Sequence, residues 1–123
     1  MICSAANNQN KLYYGTSHIR WDHIKKKGLL PNLCNDIYII LIPEMKSDSV
    51  YLTETSEGAM FYAQSQAKKD TNDPKFIGPA NPVILQVQIP DHRKLRISNN
   101  GEIKGFRYKG RIPPKFINKI NTA

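Results

Sequence analysis

The segment from Lys11 to Pro31 constrains the fold of this chain more than any other part of the sequence. Its first residues, Leu12-Tyr-Tyr-Gly-Thr16, are rich in aromatic side chains and predict a short, half-buried strand. Ser17 follows, and its hydroxyl can accept an unpaired backbone N–H and so begin a helix over about 18–27. Gly28 suits the left-handed position that ends such a helix. The chain therefore opens with a strand, a tight turn and a helix.

The rest of the chain predicts short strands around one further helix. An apolar run, Ile37-Tyr-Ile-Ile-Leu-Ile42, fits either a buried strand or an apolar loop. The remaining predicted elements are a strand over 49–53, a helix over 57–69 capped by Ser56, a strand over 82–90 and an extended stretch over 106–112. The regular alternation of strands and helices that a doubly wound sheet requires is absent. We therefore expect an α+β fold, with one domain over 11–123 behind a flexible N-terminus over 1–10.

The chain is strongly basic, and its positive charges are unevenly placed. Its 123 residues carry 18 Lys and Arg against 10 Asp and Glu, a formal net charge of +8. The basic residues gather in two segments, 20–27 and 104–119, and the second contains no acidic side chain. Such segments attract phosphate-rich partners, although a solvated lysine-rich surface has the same composition. Both interpretations stay open.

The sequence argues against several classes of protein. It has no apolar leader and no apolar run near the ~20 residues that span a bilayer, so we expect a cytoplasmic location without membrane contact. The phosphate-binding patterns GxGxxG and GxxxxGK[ST] are absent. His18, His23 and His92 lack the spacing of metal ligands, so no metal is expected. Cys3 and Cys34 are expected to be free thiols, with a single bridge between them as the alternative.

Three blocks, in this order, resemble the ADP-ribosyltransferase superfamily that uses NAD⁺. The first is Leu12-Tyr-Tyr-Gly-Thr-Ser17 before a helix that closes on Gly28-Leu-Leu-Pro31, and the second is Val50-Tyr-Leu-Thr53 before an alanine-rich helix. The third is the strand Val83–Val87 with Phe106-Arg-Tyr-Lys-Gly-Arg-Ile-Pro-Pro114. Among these proteins, the chain is most similar to the small members shaped like RNA 2′-phosphotransferases and DarT-type toxins. The resemblance covers residues 12–117.

The resemblance implies a split β-sheet with two short helices and NAD⁺ held in the cleft between the halves of the sheet. In this interpretation Gly15 leaves room for the dinucleotide and its backbone holds the nicotinamide amide, while a hydroxyl of Thr16 or Ser17 bonds the ligand. Tyr51 stacks on the cationic nicotinamide ring. One groove is then expected to be lined by Tyr14 and Tyr51 together. The full set of expected NAD⁺-binding residues is Tyr14, Gly15, Thr16, Ser17, Tyr51, Thr53 and Arg107.

Two positions depart from the family pattern. The first block of the family typically reads L-Y-H-G-T-S, so the family histidine falls on Tyr14. The family acid falls on Gly105. Because cleavage of the glycosidic bond develops oxocarbenium character at C1′ of the ribose, a nearby carboxylate is needed. Glu102 and Glu54 are the candidates, and with Tyr51 they form the expected catalytic set.

The sequence thus predicts an NAD⁺-dependent ADP-ribosyltransferase. The enzyme would release nicotinamide and transfer ADP-ribose to a macromolecular acceptor, either a nucleic acid or a protein. One alternative is a non-catalytic relative that binds or inhibits a partner through its basic surface. A narrower alternative is NAD⁺-dependent removal of a 2′-phosphate from RNA, with Arg20, Arg107 or Arg111 on the phosphate.

Overall fold

The computed structural model describes residues 11–31, 49–99 and 101–120, so the expectations for 1–10, for 37–42 and for both cysteines lie outside it. Within these ranges the fold is mixed α+β, as the sequence predicts, with one antiparallel six-stranded sheet and two helices. The elements are β1 (Lys11–Ser17), α1 (His18–Lys27), β2 (Ser49–Thr53), α2 (Ser56–Thr71), β3 (Pro82–Gln88), β4 (Leu95–Ile97), β5 (Gly105–Lys109) and β6 (Ile117–Ile120). Two 3₁₀ turns, His92–Lys94 and Pro114–Phe116, precede β4 and β6.

The sheet divides into two three-stranded parts. Its strand order is β4-β5-β2-β1-β3-β6. Strand β1 pairs with β3 along its whole length, from Lys11–Gln88 to Ser17–Pro82, and β2 pairs with β5 along its whole length. Between β1 and β2, however, the register contains one pair, Tyr13–Thr53. The two central strands therefore meet only where β2 ends, and the register pairs none of residues 49–52 with β1.

The first helix has the predicted bounds and the predicted caps. The Ser17 hydroxyl accepts a hydrogen bond from the Arg20 backbone N–H at 3.4 Å, and Gly28 has a φ of 82°. The N–H of Gly28 donates to the Ile24 carbonyl at 2.7 Å. The cap predicted for the second helix is wrong. Thr55, in extended conformation, accepts from the Gly58 N–H at 3.0 Å, which makes Ser56 the first helical residue.

The C-terminal part contains two strands that the sequence did not predict, β4 and β6. Both are edge strands of three or four residues, and most of their side chains are at least partly exposed. A strand of three or four residues is too short for an alternation of apolar and polar residues to identify it. The strand predicted over 106–112 is β5, which begins at Gly105 and ends at Lys109.

The two helices cover opposite faces of the sheet. Side chains alternate along a strand, and directly paired residues share a face. The pairs Tyr13–Thr53 and Gly15–Ile84 therefore lie on one face, where α2 packs through Ala59 and Ala63. The other face carries most of the hydrophobic core and is the side of α1, whose Ile24 is buried. We refer to these as the α2 face and the α1 face. In the described ranges no helix has the length and apolar character needed to cross a membrane.

Candidate functional site

A recess of about 150 Å³ opens between β1 and α1. Tyr14 and Thr16 lie two residues apart on β1 and so share the α1 face. On α1, Arg20, His23 and Lys27 recur at intervals of three and four residues and so share one side of the helix. The recess is lined by Tyr14, Thr16, Arg20, His23, Ile24, Lys27, Gly28 and Leu30. Two of the predicted NAD⁺-binding residues, Tyr14 and Thr16, thus meet in one place.

The recess has a buried wall and a cationic opening. Tyr14 and Thr16 are only 3% and 1% exposed, whereas His23 and Lys27 are exposed to solvent. The wall supplies an aromatic ring and a hydroxyl, and the opening supplies basic side chains. This combination suits a ligand that carries a flat group and phosphates.

Tyr51 does not line this recess. Because Tyr13 pairs with Thr53, residues 13, 51 and 53 share the α2 face, whereas Tyr14 points to the α1 face. Tyr51 is fully buried, and its ring contacts that of Tyr62 on α2 edge-to-face, with the centroids 5.6 Å apart. Burial, together with the neighbouring Tyr62, raises the pKa of the Tyr51 hydroxyl. The prediction that Tyr14 and Tyr51 line one groove is therefore wrong, because the strand register places them on opposite faces of the sheet.

The position of the Tyr51 hydroxyl explains why residue 105 is glycine. A Cβ built on Gly105 would overlap the Tyr51 hydroxyl and would also lie 2.8 Å from the Ser98 carbonyl oxygen. No side chain, acidic or otherwise, fits at 105 while Tyr51 keeps this position.

Gly15 is required by packing. A Cβ at this position would overlap the Ala59 carbonyl oxygen and would lie 2.6 Å from the Ala63 backbone nitrogen. Because α2 lies directly against β1 here, only glycine fits. The expectation that Gly15 leaves room for a dinucleotide is not met, since the space next to its Cα is occupied by the backbone of α2.

Ser17 belongs to a buried polar network. Its hydroxyl donates to Asp70 Oδ2 at 2.5 Å, and Arg20 Nε donates to the same oxygen at 2.9 Å. On the other carboxylate oxygen, Asp70 Oδ1 accepts from Arg20 Nη2 and from Gln66 Nε2, each at 3.0 Å. Burial alone would raise the pKa of Asp70, but these hydrogen bonds and the Arg20 charge together lower it below its ordinary value. The network joins β1, α1 and α2, so Ser17 has a structural role.

Thr53 and Arg107 also lie on the α2 face, away from the recess. The Thr53 hydroxyl donates to the Thr55 carbonyl at 2.9 Å and lies 3.3 Å from the Tyr13 carbonyl oxygen. Arg107 pairs with Tyr51 in register and is half-buried. Neither residue joins Tyr14 and Thr16.

The two candidate carboxylates do lie together. Glu54 and Glu102 line one open cleft of about 400 Å³, where β2 ends and α2 begins. The Glu54 N–H donates to the Lys104 carbonyl at 2.9 Å, which holds the two segments side by side. The other lining residues are Thr55, Glu57, Gly58, Phe61, Ile103 and Lys104. The sequence offered both acids as alternatives, and the fold brings them to the same place.

Three buried residues of α2 were not among the predicted site residues: Tyr62, Gln66 and Asp70. These residues are four positions apart on α2, so they follow one side of the helix, and all three are buried. Gln66 and Asp70 continue the helical spacing of the buried residues Tyr62 and Ala63, and polar residues at such positions indicate a buried polar network. Nothing in the sequence marks Arg20 as their partner, because it lies 50 residues from Asp70.

The described residues contain no group of three or more His, Cys, Asp and Glu side chains that could hold a metal ion. His18 has a structural contact, since its Nδ1 accepts from the Asn81 backbone N–H at 2.9 Å. No protein-family model matches the chain, and no curated protein is significantly similar to it.

Proposed function

We propose that this chain is an NAD⁺-dependent ADP-ribosyltransferase that binds the dinucleotide on the α1 face. One observation carries the proposal. Tyr14 and Thr16, from the block that resembles the family, line a recess together with the basic side chains of α1. The divided sheet, with its single β1–β2 pair, agrees with the split sheet that the resemblance implies.

Each part of the recess has a role toward NAD⁺ in this proposal. The Tyr14 ring packs against a flat group of the ligand, and the Thr16 hydroxyl bonds a ribose. His23 and Lys27, both exposed at the opening, attract the pyrophosphate. Tyr51 has no direct role, because it lies on the α2 face and does not line the recess.

The proposed reaction breaks the bond between C1′ of the ribose and the nicotinamide nitrogen. Nicotinamide leaves with the bonding electron pair, and a hydroxyl or amine of the acceptor attacks C1′ and releases a proton. The positive charge that develops on the ribose needs a carboxylate, for which Glu54 and Glu102 are placed in an open cleft. By the antiparallel register Thr53 lies opposite Tyr13, so Glu54 follows on the side of Leu12, about 13 Å along β1 from Thr16. The recess is lined by residues of α1 and the cleft by residues of α2, so the proposal requires the dinucleotide to pass around the end of β2 from one face of the sheet to the other.

Binding of NAD⁺ is tested by thermal unfolding and titration calorimetry. At a free concentration ten times the Kd, NAD⁺ should stabilise the protein by about 1.4 kcal/mol, which raises the Tm by roughly 5 °C. Lys27→Ala should weaken binding about tenfold without changing the Tm of the free protein, because Lys27 is exposed. Lys68→Ala removes the same charge from α2, away from the recess, and should bind like the wild type.

Catalysis is tested by the release of nicotinamide in the presence of RNA, DNA or protein acceptors. We expect release that depends on the acceptor and is lost when Glu54 and Glu102 are both changed to Gln. A cyclic-phosphate derivative of ADP-ribose as the product would instead identify 2′-phosphate removal. The absence of both nicotinamide release and a shift of Tm by NAD⁺ would exclude this function.

A second candidate function is binding of a partner through exposed basic side chains, without catalysis. The burial of Tyr51 against Tyr62 and the lack of room for a side chain at Gly105 favour it. It predicts that no nicotinamide is released with any acceptor, while binding to a partner persists in the Glu54→Gln/Glu102→Gln variant.

A further inference from the structure

The two basic segments of the sequence meet in the fold. Arg111 Nε donates to the Lys27 carbonyl at 2.9 Å. Next to this contact, the backbone N–H groups of Leu29 and Ile112 each donate to the other's carbonyl at 2.9 Å. The 3₁₀ turn Pro114–Phe116 also packs against α1. These contacts place five exposed basic residues around the C-terminal end of α1, which we call the basic surface: Lys25, Lys26, Lys27, Arg111 and Lys115.

Little negative charge opposes this surface from its own elements. Asp22 is the one acid of α1, and it pairs with Lys25 at 3.1 Å. Both groups of this pair are exposed, so the attraction between them is weak in water. The segment 104–119 has no acid. The uncompensated charge attracts polyanions, and the attraction falls as salt rises.

Aromatic rings accompany the basic residues on both elements. Trp21 precedes Lys25 by four residues and so shares its side of α1. On the 3₁₀ turn, Lys115 Nζ lies 5.3 Å from the centroid of the Phe116 ring. Both rings are half-buried and pack on the hydrophobic core, so each is held in place and still partly reaches solvent. Fixed aromatic rings among basic side chains are the usual means of holding unpaired bases and their phosphates.

We propose that the basic surface binds single-stranded nucleic acid. The lysines and Arg111 contact phosphates, while Trp21 and Phe116 stack on bases. The aromatic rings favour this ligand over an acidic protein, which has carboxylates but no bases to stack. Lys27 belongs to both the basic surface and the opening of the recess, so a bound strand passes next to the recess. The proposal does not depend on NAD⁺ chemistry.

The test measures the anisotropy of labelled single-stranded RNA and DNA of about 15 nucleotides, a length within the range that one small domain covers. The variant Lys26→Ala/Lys115→Ala removes two exposed basic residues that do not line the recess. The control Lys68→Ala/Lys75→Ala removes two exposed basic residues from elsewhere. We expect the first variant to bind about tenfold more weakly at about 0.15 M salt, with a salt slope smaller by about 1.4. The control should keep most of the wild-type affinity and slope.

A second readout uses Trp21, the single tryptophan of the chain. Its fluorescence should be quenched by the oligonucleotide but not by inorganic polyphosphate, which has no bases. Equal loss of affinity in the two variants would overturn the proposal, because binding would then depend on the net charge of the protein and not on the basic surface. Polyglutamate that displaces the oligonucleotide at equal charge would assign the surface to an acidic protein. Tight binding without quenching would exclude stacking on Trp21.

Discussion

The two faces of β1 use neighbouring residues for different purposes. On the α1 face, Tyr14 and Thr16 form the wall of an open recess. On the α2 face, Gly15 lies against the backbone of α2, and Ser17 is bonded to the buried Asp70. The predicted ligand-binding block is thus divided, residue by residue, between the lining of the recess and the packing of α2. Alternation along the strand is the physical reason.

Among the substitutions that separate the two faces, Asp70→Asn should cause the largest loss in the free energy of unfolding. The substitution keeps the shape of the side chain but removes the carboxylate charge that pairs with Arg20, whose side chain is 16% exposed. Breaking a buried ion pair in this way should lower the free energy of unfolding by about 3 kcal/mol, measured by urea denaturation. A change below 1 kcal/mol would mean that this network does not hold the α2 face together.

Gly15→Ala should have the next largest effect. The new methyl group would overlap the backbone of α2 at Ala59, and backbone cannot turn aside as a side chain does. We expect a loss of about 2 kcal/mol in the free energy of unfolding. Gly110→Ala is a useful comparison, because a Cβ there meets nothing within 4 Å and the penalty comes only from its φ of 100°. Equal losses in the two variants would contradict the role of Gly15 in packing.

Two threonines on opposite faces give a smaller and sharper test. Thr53→Val removes a hydrogen bond to the Thr55 carbonyl and should lower the free energy of unfolding by about 1 kcal/mol, with unchanged NAD⁺ affinity. Thr16→Val keeps the shape of the recess wall and should weaken NAD⁺ binding about tenfold, with a smaller change in stability. Calorimetric titration and urea denaturation of both variants measure the contrast. The reverse pattern would move the ligand to the α2 face.

The smallest effect is expected from pH. In the folded protein the pKa of Asp70 is lowered from 3.8, because its hydrogen bonds and the Arg20 charge outweigh burial. Its contribution to stability is therefore complete above this value and is lost as the pH falls through the lower pKa of the folded state. From about pH 7 to about pH 5 the free energy of unfolding should not change through Asp70. In acid the difference between the wild type and Asp70→Asn should shrink. If the difference in the free energy of unfolding between the two proteins shrinks already near neutral pH, the pKa of Asp70 is not lowered in the folded protein.

Local structure could be predicted well where chemistry acts within a few residues. The first helix has the predicted bounds because its caps, Ser17 and Gly28, are adjacent to it in sequence. The cap of α2 was misplaced by one residue because Thr55 and Ser56 are equally suited to it by type. Strands β4 and β6 are short and partly exposed, and pairing with their neighbours makes them strands.

The site was less predictable because it depends on pairing between distant strands. The single pair Tyr13–Thr53 decides which face Tyr51 occupies, and a slip of one residue would turn Tyr51 to the other face. The sequence contains no turn or hairpin that fixes this register. In contrast, the clustering of Glu54 and Glu102 follows from the pairing of β2 with β5, which places the end of one next to the start of the other.

The single pair between β1 and β2 has a mechanical consequence. A continuous sheet transmits force through rows of peptide groups, but here the two parts of the sheet are joined mainly by side chains under α2, which contacts β1, β2 and β3. The angle between the parts therefore depends on how α2 packs on each of them, through Ala59 and Ala63 on β1 and β3 and through Tyr62 on Tyr51 of β2. Exchanging either alanine for a larger residue would tilt one part against the other and leave both sets of paired strands intact.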